Sequence, residues 1–199
     1  KSQGQKLDFG KALLDNNAKV AGNSTTAREL AGVPAWLTSN TVTGSGGADA
    51  TGDGTDARTD GTQTAFTQAK FDTAMQSIWQ SGGKPDCVIL SSFQLAAAVT
   101  GFVGNNNQRV NGETGNVDNL ISIYQTPWGS VEFVPARENR SRDVFIIEKD
   151  KWAVAELRPM RSQALAKTGD NEKRQIVCEL TLEARNEAAN GMIADNTTS

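Results

Sequence analysis

The chain has 199 residues, enough for one domain of ordinary size or two small lobes burying roughly 70% of the unfolded surface. With 37% apolar and 22% charged residues and a net charge of -3, it lacks the strongly basic field of a general nucleic-acid binder, so any contact with DNA must be local. It has no histidine, which removes the commonest general base and metal ligand and, with them, most catalytic triads and zinc sites.

From the start of the chain, Leu7, Lys11 and Leu14 on one line and Phe9 and Leu13 on the next predict an amphipathic helix over 7–20, with Gly22 as its stop. Residues 27–37 read as a compact anchor in which Gly32 and Pro34 prevent a regular helix and Trp36 is available for burial. The tract 39–61 is glycine, threonine and aspartate with almost nothing apolar, which predicts a poorly ordered surface loop. Thr67 then precedes a helix whose Phe71, Ala74, Met75, Ile78 and Trp79 share one face, with Gly82-Gly83 as its end; Trp79 is expected in the core. Residues 85–90 predict a short buried strand, and Ser91-Ser92 caps a second helix over 93–100.

A second polar loop, 104–119, leads to a hairpin of 121–124 and 131–134 about Pro127-Trp128-Gly129. Strands follow at 144–147 and 152–157, and a longer one at 175–185 in which Cys178, Leu180, Leu182 and Ala184 face a covered side. The fold class is α+β. No run approaches the length of a membrane span, and there is no apolar signal region or initiator methionine, so Lys1 reads as the start of a trimmed product or a fragment.

Motifs with chemical potential are few. Cys87 and Cys178 lie in apolar runs and read as buried thiols rather than a disulfide or nucleophile. Segment 49–60 places Asp49, Thr51, Asp53 and Asp60 at positions one, three, five and twelve of a calcium loop with Gly54 at six. Threonine at three, aspartate at twelve and the missing entry helix argue for a solvated loop instead. The Gly44-Ser45-Gly46-Gly47 run lacks the lysine and hydroxyl of a phosphate loop, and Arg137, Arg140 and Arg142 read as a solvated turn between strands. Glu179 and Glu183 stand roughly 13 Å apart on a strand, too far for an acid/base pair.

The segments Trp152-Ala153-Val154-Ala155-Glu156-Leu157-Arg158-Pro159, Leu165 to Asp170, Glu179-Leu180-Thr181-Leu182-Glu183 and Asn186-Glu187-Ala188-Ala189-Asn190-Gly191 closely resemble tailed-bacteriophage major head proteins of the Hong Kong-type capsid fold. The resemblance extends back through Phe66 to Gly101 and the Arg28 to Leu37 anchor. It implies a peripheral domain, made of a spine helix and a long-stranded sheet, with an inserted axial domain. Residues 1–65 would hold the end of the spine, a peripheral segment and the flexible Gly/Asp loop; 66–149 the axial domain; 150–199 the peripheral strands and C-terminus. An N-terminal arm and an extended loop are expected before Lys1. Asn190 stands where some relatives are expected to carry histidine.

By this resemblance the protein is a non-enzymatic shell subunit without catalytic, cofactor or metal sites. Its partners are copies of itself in hexameric and pentameric capsomers, and packaged double-stranded DNA touched weakly and non-specifically. Its place is the virion capsid, after synthesis in the host bacterial cytoplasm, with no membrane contact. Lys167, Asp170, Glu172, Lys173 and Arg174, in the polar turn 167–174, are the expected inter-subunit contacts, since the corresponding end of the peripheral domain reaches toward threefold contacts and both signs of charge are present. The alternatives are a secreted or surface calcium-binding module using Asp49–Asp60, which calorimetry would detect, and an acid-dependent hydrolase, which needs two carboxylates close together in a cleft.

Overall fold

The computed structural model describes residues 2–102, 109–110, 117–118, 123–167, 169–170 and 172–198. Most of the loop expected at 104–119, the first two residues of the strand expected at 121–124, and Thr168 and Asn171 lie outside the described residues.

The first helix, α1, runs Ser2–Leu14 rather than over 7–20. It stops early because the next side chains bond elsewhere: Asn16 donates to the Arg58 carbonyl and accepts from the Arg58 N–H, and Asn17 donates to the Leu30 carbonyl. Leu13 and Leu14 pack inward, whereas Leu7 is exposed. The anchor forms as expected, with a single 3-10 turn at Val33–Ala35 and Val33, Pro34, Ala35 and Leu37 buried; Trp36 is half-buried.

Strand β1 (Thr41–Val42) opens a six-stranded sheet with β2 (Cys87–Leu90), β5 (Ile123–Thr126), β6 (Gly129–Pro135), β7 (Val144–Ile147) and β10 (Gly191–Ile193), in the order β1-β10-β7-β2-β6-β5. β1 and β10 are parallel, as are β2 and β6; the other pairings are antiparallel. The sheet therefore takes strands from all three segments 1–65, 66–149 and 150–199. Between β2 and β5 lie α3 (Ser92–Gly101) and a two-residue ladder of β3 (Arg109–Val110) with β4 (Val117–Asp118).

Both faces of the sheet are covered, so its central strands are apolar throughout rather than alternating with polar residues. Val144, Ile146, Val88, Leu90 and Ile193 face one core with α3 and α2 (Gln68–Gln80); Phe145, Ile147 and Met192 face the other with Val33 and Leu37. The two-residue period of β7 thus splits one apolar run between two cores. In α2, Thr67 caps the N-terminus by accepting from the Lys70 N–H, and Phe71, Ala74, Met75 and Ile78 are buried.

Trp79 is 58% exposed, which corrects its expected place in the core. At about 100° per residue it lies about 90° from the centre of the buried stripe, so an i+8 spacing puts it at the flank. Ser91 caps α3 as expected, accepting from the Gln94 N–H, and β5 and β6 form the expected hairpin about Pro127-Trp128.

The longest strands, β8 (Trp152–Ala164) and β9 (Arg174–Ala184), pair only with each other among the described residues. β8 outruns the expected 152–157 because Pro159 falls at its register shifts, between Glu156, Arg158 and Arg161, where no ladder N–H is required.

Candidate assembly surface and the ionic cluster behind it

The β8–β9 ribbon presents the expected contact residues. Its strands are joined by the polar turn, closed where the Leu165 N–H donates to the Lys173 carbonyl. Lys167, Asp170, Glu172, Lys173 and Arg174 are all exposed around this tip, and Arg174 lies 2.9 Å from Glu172. Along the shaft Val154, Leu157 and Leu165 are exposed, Leu157 by 76%. Among the described residues, buried Leu182 and half-buried Trp152, both near the base, reach a core. Cys178 is half-buried rather than a core thiol, because the ribbon face it occupies is covered only in part. It lines an apolar groove of about 510 Å³ between the ribbon and the 19–30 segment, with Val20, Leu30, Leu157 and Leu180. Cys87 is buried and free, and burial pushes its thiol up.

The tract 39–61 is not the loose loop that its composition predicts. It wraps around Asp195, a fully buried carboxylate at the end of the last strand. Asp195 accepts from Arg58 Nη2 at 3.0 Å, Arg142 Nη2 at 2.6 Å, the Gly44 N–H at 3.0 Å and the Gly61 N–H at 2.9 Å. The bunched glycines have a reason here: a Cβ at Gly44 would stand 2.0 Å from the Thr62 carbonyl oxygen, and one at Gly61 2.6 Å from the Gly47 nitrogen. Burial alone would raise the Asp195 pKa. The bonds from Arg58, both glycine amides and Arg142 outweigh it and hold the carboxyl well below the usual range.

Arg140 and Arg142 are not a solvated turn either. Arg140 pairs with Asp60 at 2.6 Å and Asp143 at 3.0 Å, and Arg142 with Asp60 at 3.2 Å as well as Asp195. Three arginines and three aspartates thereby tie the glycine-rich tract, the 139–143 turn and the C-terminal segment together. Sequence reasoning missed this cluster, although Asp195 directly after the apolar Met192-Ile193-Ala194 run signals a buried charge that needs partners.

Asp143 is fully buried, and no donor among the described residues forms a well-directed hydrogen bond to either of its carboxylate oxygens. Burial is the main cause that pushes its carboxyl from 3.8 up to about 6, with Arg140, Arg58 and Arg142 opposing. The folded state therefore holds this proton more tightly than the unfolded chain. The stability that follows is fully present below about pH 4 and is lost as pH rises through about 6, a change of roughly 2–3 kcal/mol. Asp143→Asn is expected to flatten that slope in urea melts between pH 4 and 6; an unchanged slope would show that Asp143 does not carry it.

The calcium-loop residues already have partners. Asp49 accepts from the Thr41 hydroxyl, Asp53 from Thr51 and Thr55, and Asp56 from Thr51, while Asp60 belongs to the ionic cluster. Among the described residues no group of three or more carboxylates or thiols is placed to hold a metal ion, so the calcium-binding reading finds no support. Glu179 and Glu183 pair with Arg158 and Arg185, each at 3.1 Å. No helix of the described residues is long and apolar enough to cross a membrane.

A family model described as SU10 major capsid protein matches residues 1–197. No curated protein matches the chain. Among solved structures it is similar to the capsid asymmetric unit of cyanophage A-1(L), at 15% identity and TM-score 0.63, over 100% of this chain and 68% of that one. It is also similar to the satellite phage P4 procapsid that includes the size determination protein, at 13% identity and TM-score 0.55, over 99% of this chain and 62% of that one. The holo-SrpI encapsulin complex from Synechococcus elongatus PCC 7942 matches at 11% identity and TM-score 0.55, over 99% and 63%. At these identities the likeness is one of fold, the α+β capsid fold expected from the sequence.

Proposed function

The chain belongs to the SU10 major capsid protein family, and from that premise we propose that this structural subunit joins its shell through contacts between copies made by the β8–β9 ribbon. The observation that carries the reading is the ribbon itself. An isolated pair of strands is marginal in water, yet this one extends a 13-residue strand with no third strand beside it among the described residues. Exposed Val154 and Leu157 on its shaft and both signs of charge at its tip suit an apolar contact with a charged rim.

In this reading residues 66–149 form the axial unit, and residues 1–65 and 150–199, which carry α1 and the ribbon, the peripheral one. Copies gather as hexameric and pentameric capsomers in the virion capsid, after synthesis in the host cytoplasm. With a net charge of -3, packaged DNA is touched weakly and without sequence preference.

The test is Lys173→Glu with Arg174→Glu in the full-length protein. Both side chains are exposed, so the melting temperature is expected to stay nearly unchanged while shell formation is blocked or delayed, most visibly at low salt. Normal shells from a well-folded double mutant would reject the tip as a contact.

A further inference from the structure

The ribbon leaves the body through two short segments, 148–152 and 184–190, which meet at Asn190. This side chain is fully buried. Its Oδ1 accepts from Trp152 Nε1 at 2.9 Å, where β8 begins, and from the Glu148 N–H at 2.8 Å, while its Nδ2 donates to the Asn186 carbonyl. Its own carbonyl accepts from Asn40 Nδ2, and Asn40 Oδ1 in turn accepts from Ser77 and Ser81 at the end of α2. The Glu187 carboxylate binds the Thr38 and Ser39 amides and the Ser39 hydroxyl. A continuous chain of hydrogen bonds thus runs from the base of the ribbon to the helix that lies on the sheet.

We propose that Asn190 and Trp152 form the joint that sets the direction of the ribbon relative to the sheet, and with it the angle at which one subunit meets the next; the second half of this statement rests on the ribbon being the contact arm. The lever is long. At about 3.3 Å per residue, 13 residues span about 43 Å, so a tilt of about 10° at the base carries the tip by about 7 Å. A small change of geometry at the joint is therefore magnified at the tip into a displacement larger than an interface tolerates. Asn suits the position because one carboxamide accepts twice and donates once without carrying charge into a buried site.

Trp152→Phe tests this, since it keeps an aromatic ring at the half-buried position while removing the N–H together with the smaller ring of the indole. Spin labels at Gln76→Cys on α2 and Lys167→Cys at the tip, in a Cys178→Ser background, report the distance between body and ribbon in the unassembled chain. The parent is expected to give one narrow distance distribution. Trp152→Phe is expected to broaden it at least two-fold or shift it by several ångströms, with the melting of the sheet core little changed. Trp152→Tyr provides a second variant should the first fold poorly. A distribution as narrow as the parent's, at the same distance, in a folded variant overturns the joint. The measurement needs no assembly, so a failed joint and a failed contact tip are told apart: the first appears in the distances, the second in shells formed by the Lys173→Glu, Arg174→Glu protein. In shells, Trp152→Phe is expected to widen the spread of particle diameters, and an unchanged spread beside altered distances would overturn the link from ribbon angle to subunit angle.

Discussion

Asp195→Ala is expected to lower the stability of the body by about 3–5 kcal/mol, the range for removing one partner of a buried ion pair. The loss is large because the partners stay behind. Arg58, whose side chain is also fully buried, would keep only Asp60, and the Gly44 and Gly61 amides would lose their acceptor inside the protein. Alanine also fits poorly on the backbone, since Asp195 has φ +59, a left-handed conformation that Asn and Asp tolerate better than most residues. Asp195→Asn keeps that preference and one acceptor, so it is expected to lose less. Urea melts of both variants at neutral pH check the order. A loss below about 1 kcal/mol for alanine would mean that water enters and solvates the arginines. The same variant is expected to open the 39–61 tract to limited proteolysis, because beyond Val42 and Ala50 the tract has few apolar contacts with which to hold it.

Phe71→Ala is expected to cost about 3–5 kcal/mol through the cavity it leaves. The ring is fully buried and its centroid lies 5.6–5.8 Å from those of Phe102, Tyr124 and Phe133, so one side chain joins α2, the end of α3 and the β5–β6 hairpin. Trp79→Ala on the same helix is the control. With Trp79 mostly exposed, its loss is expected to stay below about 1 kcal/mol. Equal losses at the two positions would show that the helix is rotated from the phase described.

That pair marks where pattern reading reached its limit. The periodicity of α2 identifies a helix and four of its buried residues, because Phe71, Ala74, Met75 and Ile78 cluster on a narrow stripe. Trp79 sits one step off the stripe, and only the packing of neighbouring elements decides whether a flank residue is covered. The strands were legible for a similar reason: β7 is four apolar residues in a row, and the β5–β6 hairpin carries its turn in Pro127-Trp128-Gly129. β8 was read too short because Pro159 signals an end, and only a partner strand with register shifts beside it shows that the proline is tolerated.

By itself the sequence determined the α+β class, the caps at Thr67 and Ser91, the central strands, the polar tip and the membership of a capsid family, all of which depend on local pattern or on the order of segments. The tertiary structure decided what long-range polar contacts decide. Arg58, Arg142 and Asp195 are far apart in the chain, and nothing local in 39–61 reveals that its glycines admit backbone N–H groups to a buried carboxylate. Likewise Asn190 and Trp152 are ordinary residues until the fold places an acceptor within 2.9 Å of an indole N–H. Apolar periodicity repeats along the sequence and is read locally. Hydrogen-bond and ion-pair partners meet only after the chain has folded, since their geometry depends on both segments at once.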